Sequence, residues 1–269
     1  MAISTRQDVA RVLALFTRNG DNVTSSHGLM VLAVELHARR AQGVDSRLAD
    51  AVSILHAEHA TLLTILERTE WQKQSARDGH LNDTLWFFFS TLDVEHYYIV
   101  LRSLFDHIAG VCAETTSRRD QIPRSFNKLL EWCADRSRAD RILGADLTEL
   151  LLSCDWFHDI RKTRDGIVHF GALTLAFPSA ETIAFNVAAG DRSSAVPNEL
   201  MINETIADCE LFMAWTLGNL QLFLDSLARL ILARIPDPRD LGVTAYQPGM
   251  RTLVRHLERL AERLPDRDA

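Results

Sequence analysis

Apolar residues return every three or four positions along most of this chain, which is the period of an amphipathic helix. Val9, Val12, Leu13 and Phe16 begin the pattern. A second run covers about 24–42 and opens at Thr24-Ser25-Ser26, residue types that favour a helix N-terminus. A third goes from Ser46 to about Trp71, with Leu48, Val52, Leu55, Leu62, Ile65 and Leu66 in one stripe. Residues 1–80 therefore read as a helical region of their own.

The most apolar segment is 82–114, where Leu85, Phe88, Phe89, Leu92, Ile99, Leu104, Ile108 and Val111 predict a broad buried face on a central helix. Residues 146–169 predict another long amphipathic helix, and Gly171 is suited to stop it. Directly afterwards "ALTLAF" and "IAFNVA" alternate apolar and polar positions around "PSAET", which predicts a β-hairpin at about 172–188 and is the only convincing strand signal in the chain. A last long helix, about 198–234, carries Ile206, Phe212, Met213, Leu217, Leu220, Phe223, Leu224, Leu227 and Ile231, and Pro236 and Pro238 end it. The tail, 236–269, adds a short helix near 250–264 with Leu253, Leu257, Leu260 and Leu264. The fold class is all-α, and a bundle over 81–235 holds the hairpin.

Composition narrows the function. A net charge of −7 argues against a chain that coats nucleic acid by bulk positive charge. Locally the sign reverses: residues 118–141 hold seven basic side chains against four acidic ones, with Arg118, Arg119, Arg124 and Lys128 placed to follow a phosphate backbone. A solvated face is the competing explanation of such a cluster. Cys112, Cys133, Cys154 and Cys209 lie far apart with no CxxC pair, as expected of reduced core residues in a cytoplasmic protein. The longest late apolar run, "LFMAWTLGNLQLFL" at 211–224, falls short of the roughly 18 residues that a membrane span needs, so no membrane contact is expected. Arg6 and Asp8 interrupt the start before a secretory apolar core can form.

The chemistry concentrates in "IRKTRDGIVHFG", residues 160–171. An arginine followed five positions later by histidine occurs three times, at Arg102–His107, Arg164–His169 and Arg251–His256, so spacing alone selects none of them. Only Arg164 is followed directly by an acid. In a helix Asp165 and His169 are one turn apart on the same face, where the carboxylate holds the imidazole in one tautomer, and Arg161 joins that stripe. Arg164 lies about 140° round the helix from His169. The two converge only if Gly166 lets the backbone deviate or two copies of the helix meet.

With its Arg-polar-x-x-x-His core "TRDGIVHFG" late in a helix, and a long aromatic-rich helix some 60 residues earlier, the chain resembles the HEPN superfamily over about residues 82–234. The resemblance implies a HEPN-like helical bundle with an N-terminal extension and a homodimer whose two motifs share a cleft, built here by the 146–169 and 198–234 helices. It also implies a metal-independent endoribonuclease without cofactors, serving as a toxin or in phage defence. Arg164, Asp165 and His169 match its catalytic positions, Arg161 joins Arg118, Arg119, Arg124 and Lys128 as the expected RNA contacts, and Gly171 departs from the tyrosine that some members modify. An antitoxin or regulatory protein is a further implied partner, with residues 1–80 as its docking surface or as a sensor. Some members of the superfamily are not enzymes, and the alternative is a non-catalytic dimer that binds a partner or a nucleotide.

Elsewhere the plainer explanations suffice. His56 and His59 are spaced for two ligands on one helix face, but no third ligand is apparent. His158 is in line with His169 and needs no function of its own. The stripe "WFFFSTL" reads as core or dimer interface. Glycine-rich phosphate loops, nucleophile elbows and paired catalytic acids at a recognisable spacing are absent.

Overall fold

The computed structural model describes residues 2–20, 22–42, 46–158, 160–161, 175–179, 181–187, 196–239, 244 and 246–266. Helix α1 (Arg6–Leu13) starts with a capping box: the Thr5 hydroxyl accepts from the Asp8 N–H, and the Asp8 carboxylate accepts from the Thr5 N–H at 3.1 Å. Phe16, expected to continue this helix, begins a strand instead. Strands β1 (Phe16–Asn19) and β2 (Asn22–Ser25) pair antiparallel, with Phe16 opposite Ser25 and Asn19 opposite Asn22. Gly20 sits at φ +61°, the left-handed conformation that an Asn-Gly turn supplies, so the chain turns where helical periodicity had suggested continuation.

Helices α2 (Gly28–Arg40), α3 (Ser46–Arg77) and α4 (Asp83–Glu114) follow. The last two are 32 residues each and pack along each other as a hairpin. Gly79 (φ +73°) turns the chain, and the Asn82 side chain caps α4 by accepting from the Leu85 N–H at 2.9 Å. The expected stripe of α3 is buried throughout. The expected face of α4 is only half right: Leu104, Ile108 and Val111 are buried, whereas Leu85, Phe88, Phe89, Leu92 and Ile99 face outward. Over its first half α4 is apolar on two sides, and the side chosen for the core is Trp86, Val94, Tyr97, Tyr98 and Leu101.

Short helices α5 (Phe126–Cys133), α6 (Arg136–Leu143) and α7 (Ala145–Leu152) come next. The single helix expected over 146–169 is broken. Helix α7 stops at Leu152, Ser153 donates its hydroxyl to Leu150 O at 2.8 Å, and Asp155 accepts from the Trp156 N–H at 2.9 Å before helical structure resumes at 157. Small polar side chains that bond the backbone locally favour such a break.

The expected hairpin is present as β3 (Ala176–Pro178) and β4 (Ile183–Asn186), and β5 (Ile206–Asp208), missed in the sequence, joins it antiparallel in the order β3-β4-β5. Strand β5 runs directly into α8 (Cys209–Leu232), for which the Asp208 carboxylate caps the Leu211 N–H at 3.1 Å. The expected start near 198 is thus a 3₁₀ turn and a strand. Helix α8 is largely enclosed, with 19 of its 24 residues buried and only the side bearing Leu222, Ser226, Arg229 and Leu230 open. Helices α1, α2, α3 and α7 pack on it, as does α9 (Met250–Arg263).

One continuous apolar core contains residues from all three sequence segments, 1–80, 81–235 and 236–269. The two ends of the described chain meet: the Arg6 N–H donates to Pro265 O at 3.1 Å and its side chain to Leu264 O at 3.0 Å. Among the described residues no helix is long and apolar enough to cross a membrane. Gly249, at φ +85°, lies so close to α3 that an added Cβ would stand 2.1 Å from Leu63 O. Gly249→Ala is expected to cost about 2–4 kcal/mol, read as a lower urea midpoint with unchanged slope.

Candidate functional site

Arg164, Asp165 and His169, with Gly171, lie outside the described residues. The described part of the site is the segment leading into them. Trp156, Phe157 and Ile160 are buried there, and Phe157 packs edge-on against Phe105 and Phe126, both at 4.8 Å between ring centres. Arg161 donates to Asn127 Oδ1 of α5 at 2.7 Å, and Asp106 of α4 caps α5 by accepting from the Phe126 N–H at 2.8 Å. Aromatic packing and these polar ties fix the chain to α4 and α5 three residues before Arg164. Beside this segment is an open groove of about 280 Å³, lined by Leu130, Glu131, Leu152, Cys154, Asp155 and His158.

The basic stretch largely answers to its own acids. Arg124 pairs with Glu114 at 2.7 Å, and Arg119 reaches the same carboxylate at 3.8 Å. Arg138 lies over the Trp132 ring, 5.2 Å from its centre. Arg118 and Lys128 are exposed. Exposed pairs of this kind are weak and can be exchanged for phosphate oxygens.

The two rival Arg-His spacings have structural work. Arg102 pairs with Asp106 at 2.7 Å and lies over the Phe157 ring at 5.3 Å, while His107 faces Glu58 of α3 at 3.7 Å. His256 is buried, accepts at Nδ1 from Arg259 at 3.0 Å, and turns Nε2 toward Glu70 at 3.5 Å.

That histidine belongs to a buried charge network which sequence reasoning missed, because its members are far apart in the chain. Lys73 of α3 donates to Glu210 of α8 at 2.7 Å and reaches Glu70 at 3.0 Å, and Arg259 of α9 reaches Glu210 at 3.3 Å and Asp208 at 3.6 Å. Glu70, Glu210 and His256 bring three donor atoms within 4.8 Å of one another, the spacing of a metal site. The Lys73 ammonium already bridges the two carboxylates, so the chain supplies its own cation. Burial works against ionisation of Glu70, but hydrogen bonds from His256 and Lys73 outweigh it and hold the carboxyl well below its usual range.

A third histidine does accompany His56 and His59: His27 stacks on His59, with ring centres 5.9 Å apart. Its Nε2 donates to Gln221 O at 2.8 Å and its Nδ1 accepts from the Leu29 N–H, while His59 and His56 meet the side chains of Gln221 and Gln247 at 3.0 and 2.7 Å. Those nitrogens serve the fold. Burial pushes all three imidazoles below their usual range, so they stay neutral. The four cysteines are buried, and burial raises the Cys112 thiol to about 12 and Cys133 to about 11, which leaves neither as a nucleophile.

Comparison with protein-family models, with curated proteins and with solved structures finds no match for this chain.

Two outcomes are expected. Lys73→Met removes the buried cation that bridges Glu210 and Glu70, leaving only the more exposed Arg259 and Arg255 beside them, and should cost about 3–5 kcal/mol in urea unfolding. Below pH 6.5 the unfolded chain protonates imidazoles that the folded chain keeps neutral, so the melting temperature should fall as pH drops from 6.5 toward 5. Replacing His59 by Gln should flatten that slope; an unchanged slope would assign it to other groups.

Proposed function

We propose that the chain is a metal-independent endoribonuclease in which Arg164 grips the scissile phosphate, His169 moves the proton and Asp165 orients His169. The observation that carries this reading is one of exclusion: of the three equal Arg-His spacings, Arg102–His107 and Arg251–His256 have their histidines, and in the first also its arginine, committed to contacts within the fold. The third follows a segment held by Phe157, Ile160 and Arg161, which suits residues that must keep a fixed geometry.

Cleavage without a metal needs a base for the 2′-hydroxyl, charge stabilisation at phosphorus and an acid for the leaving oxygen. The 2′-oxygen attacks phosphorus, the bond to the 5′-oxygen breaks, and the 2′-proton leaves as the 5′-oxygen gains one. His169 accepts the first proton or supplies the second. The planar Arg164 guanidinium binds two phosphate oxygens and meets the charge that builds on them. Arg118 and Lys128, exposed in the basic stretch, are assigned to the flanking RNA backbone. A toxin or phage-defence role is the biological setting that the HEPN resemblance adds, with an antitoxin as the corresponding partner.

A second reading, a non-catalytic dimer that binds a partner or nucleotide, is favoured by a separate observation, the exposed apolar face of α4.

Incubation with mixed-sequence RNA in EDTA distinguishes them. The enzyme reading expects products ending in 2′,3′-cyclic phosphate, no cutting of DNA, and rates about 100–1,000-fold lower for Arg164→Ala and for His169→Ala. Equal activity, or equal inactivity, of all three proteins removes the nuclease assignment.

A further inference from the structure

The outward face of α4 carries Leu85, Phe88, Phe89, Leu92 and Ile99, each between 41% and 58% exposed. On a helix these positions form one stripe about 21 Å long. Phe177 of β3 is exposed as well, and β3 is tied alongside the stripe by a bond from the Ala176 N–H to the Thr91 hydroxyl at 3.1 Å. Together they present roughly 500–600 Å² of apolar side chain, the upper end of what a monomer shows in one patch. The fold does not require it, since the inward side of α4 makes the core.

Three of the five stripe positions repeat when read backwards. Leu85 and Ile99 stand seven residues either side of Leu92. We propose that this face is where a second copy of the chain docks, with the two α4 helices antiparallel about a twofold axis through Leu92. Leu92 then meets Leu92, each Leu85 meets the Ile99 of the other copy, and Phe88 and Phe89 lie opposite His96 and Glu95. Seven-residue spacing keeps the seam in register when the helices cross at about 20°. The paired faces bury about 1,000–1,200 Å², which meets the lower bound for a specific interface and suits a dimer that dissociates in the micromolar range. A twofold is the economical partner for Leu85, Leu92 and Ile99, because one sequence provides both halves of that seam. Docking at this face does not depend on cleavage.

Sedimentation of the full chain over about 1–100 µM tests the dimer, and paired cysteines test its register. The unmodified chain should pass from monomer to dimer with concentration. Leu92→Asp sets two carboxylates face to face and should weaken association at least about tenfold, with an unchanged melting curve at low concentration, where the chain is monomeric and the site exposed. Under mild oxidation Leu92→Cys should link to itself, Leu85→Cys alone should not, and Leu85→Cys with Ile99→Cys should; the native cysteines are buried and do not compete. A chain that stays monomeric, a dimer indifferent to Leu92→Asp, or self-linking at 85 in preference to 92 overturns the proposal.

Discussion

Glu210, Thr216, Asn219, Gln221 and Asp225 are buried polar residues on α8, a helix otherwise apolar around its circumference. Each is met from outside the helix. Lys73 of α3 takes Glu210, Tyr97 of α4 takes Thr216, the Ile3 N–H takes Asn219, His59 of α3 takes Gln221, and the Gly28 N–H at the start of α2 takes Asp225. A helix of this composition must be enclosed, and hydrophobic burial alone would allow many ways of enclosing it. A buried polar group without its partner costs about 1–3 kcal/mol, so these five residues select one arrangement of the surrounding elements. The segment that leads into Arg164 inherits its position from this arrangement through α4 and α5.

Where a helix has one apolar face, the sequence was a sufficient guide: Leu48 to Leu66 on α3 and Leu253 to Leu264 on α9 are buried as the period requires. It failed where two signals compete. Residues 85–99 satisfy helical periodicity on both sides of α4, and only the polar contacts of Tyr97 and of Asp93, which accepts from Arg68 and Gln72, say which side turns inward. Around Phe16 a helical period overlaps an Asn-Gly turn, and the turn prevails because left-handed backbone at Gly20 ends any helix. Strand β5 is three residues long, too short for alternation to register.

The candidate chemistry divides similarly. The Arg164-Asp165-x-x-x-His169 motif is legible as a local pattern, since its residues fall within six positions. The Glu70–Lys73–Glu210–His256 network is not legible, because loop closure across more than a hundred residues assembles it, and of the histidine cluster only His56 and His59 are, since His27 comes from another helix end about thirty residues earlier. Their ionisation serves cohesion: mutual neutralisation in the first, enforced neutrality in the second. The exposed apolar face of α4 is a further feature that only the packing of the helix reveals.

The junction of Arg6 with Leu264 and Pro265 closes the polypeptide nearly into a ring. Helices α1 and α9 lie against each other and both flank α8, so fraying of either terminus exposes the same side of that helix. The two ends are therefore expected to open as one cooperative unit, their amide protons exchanging together although they stand at opposite extremes of the chain.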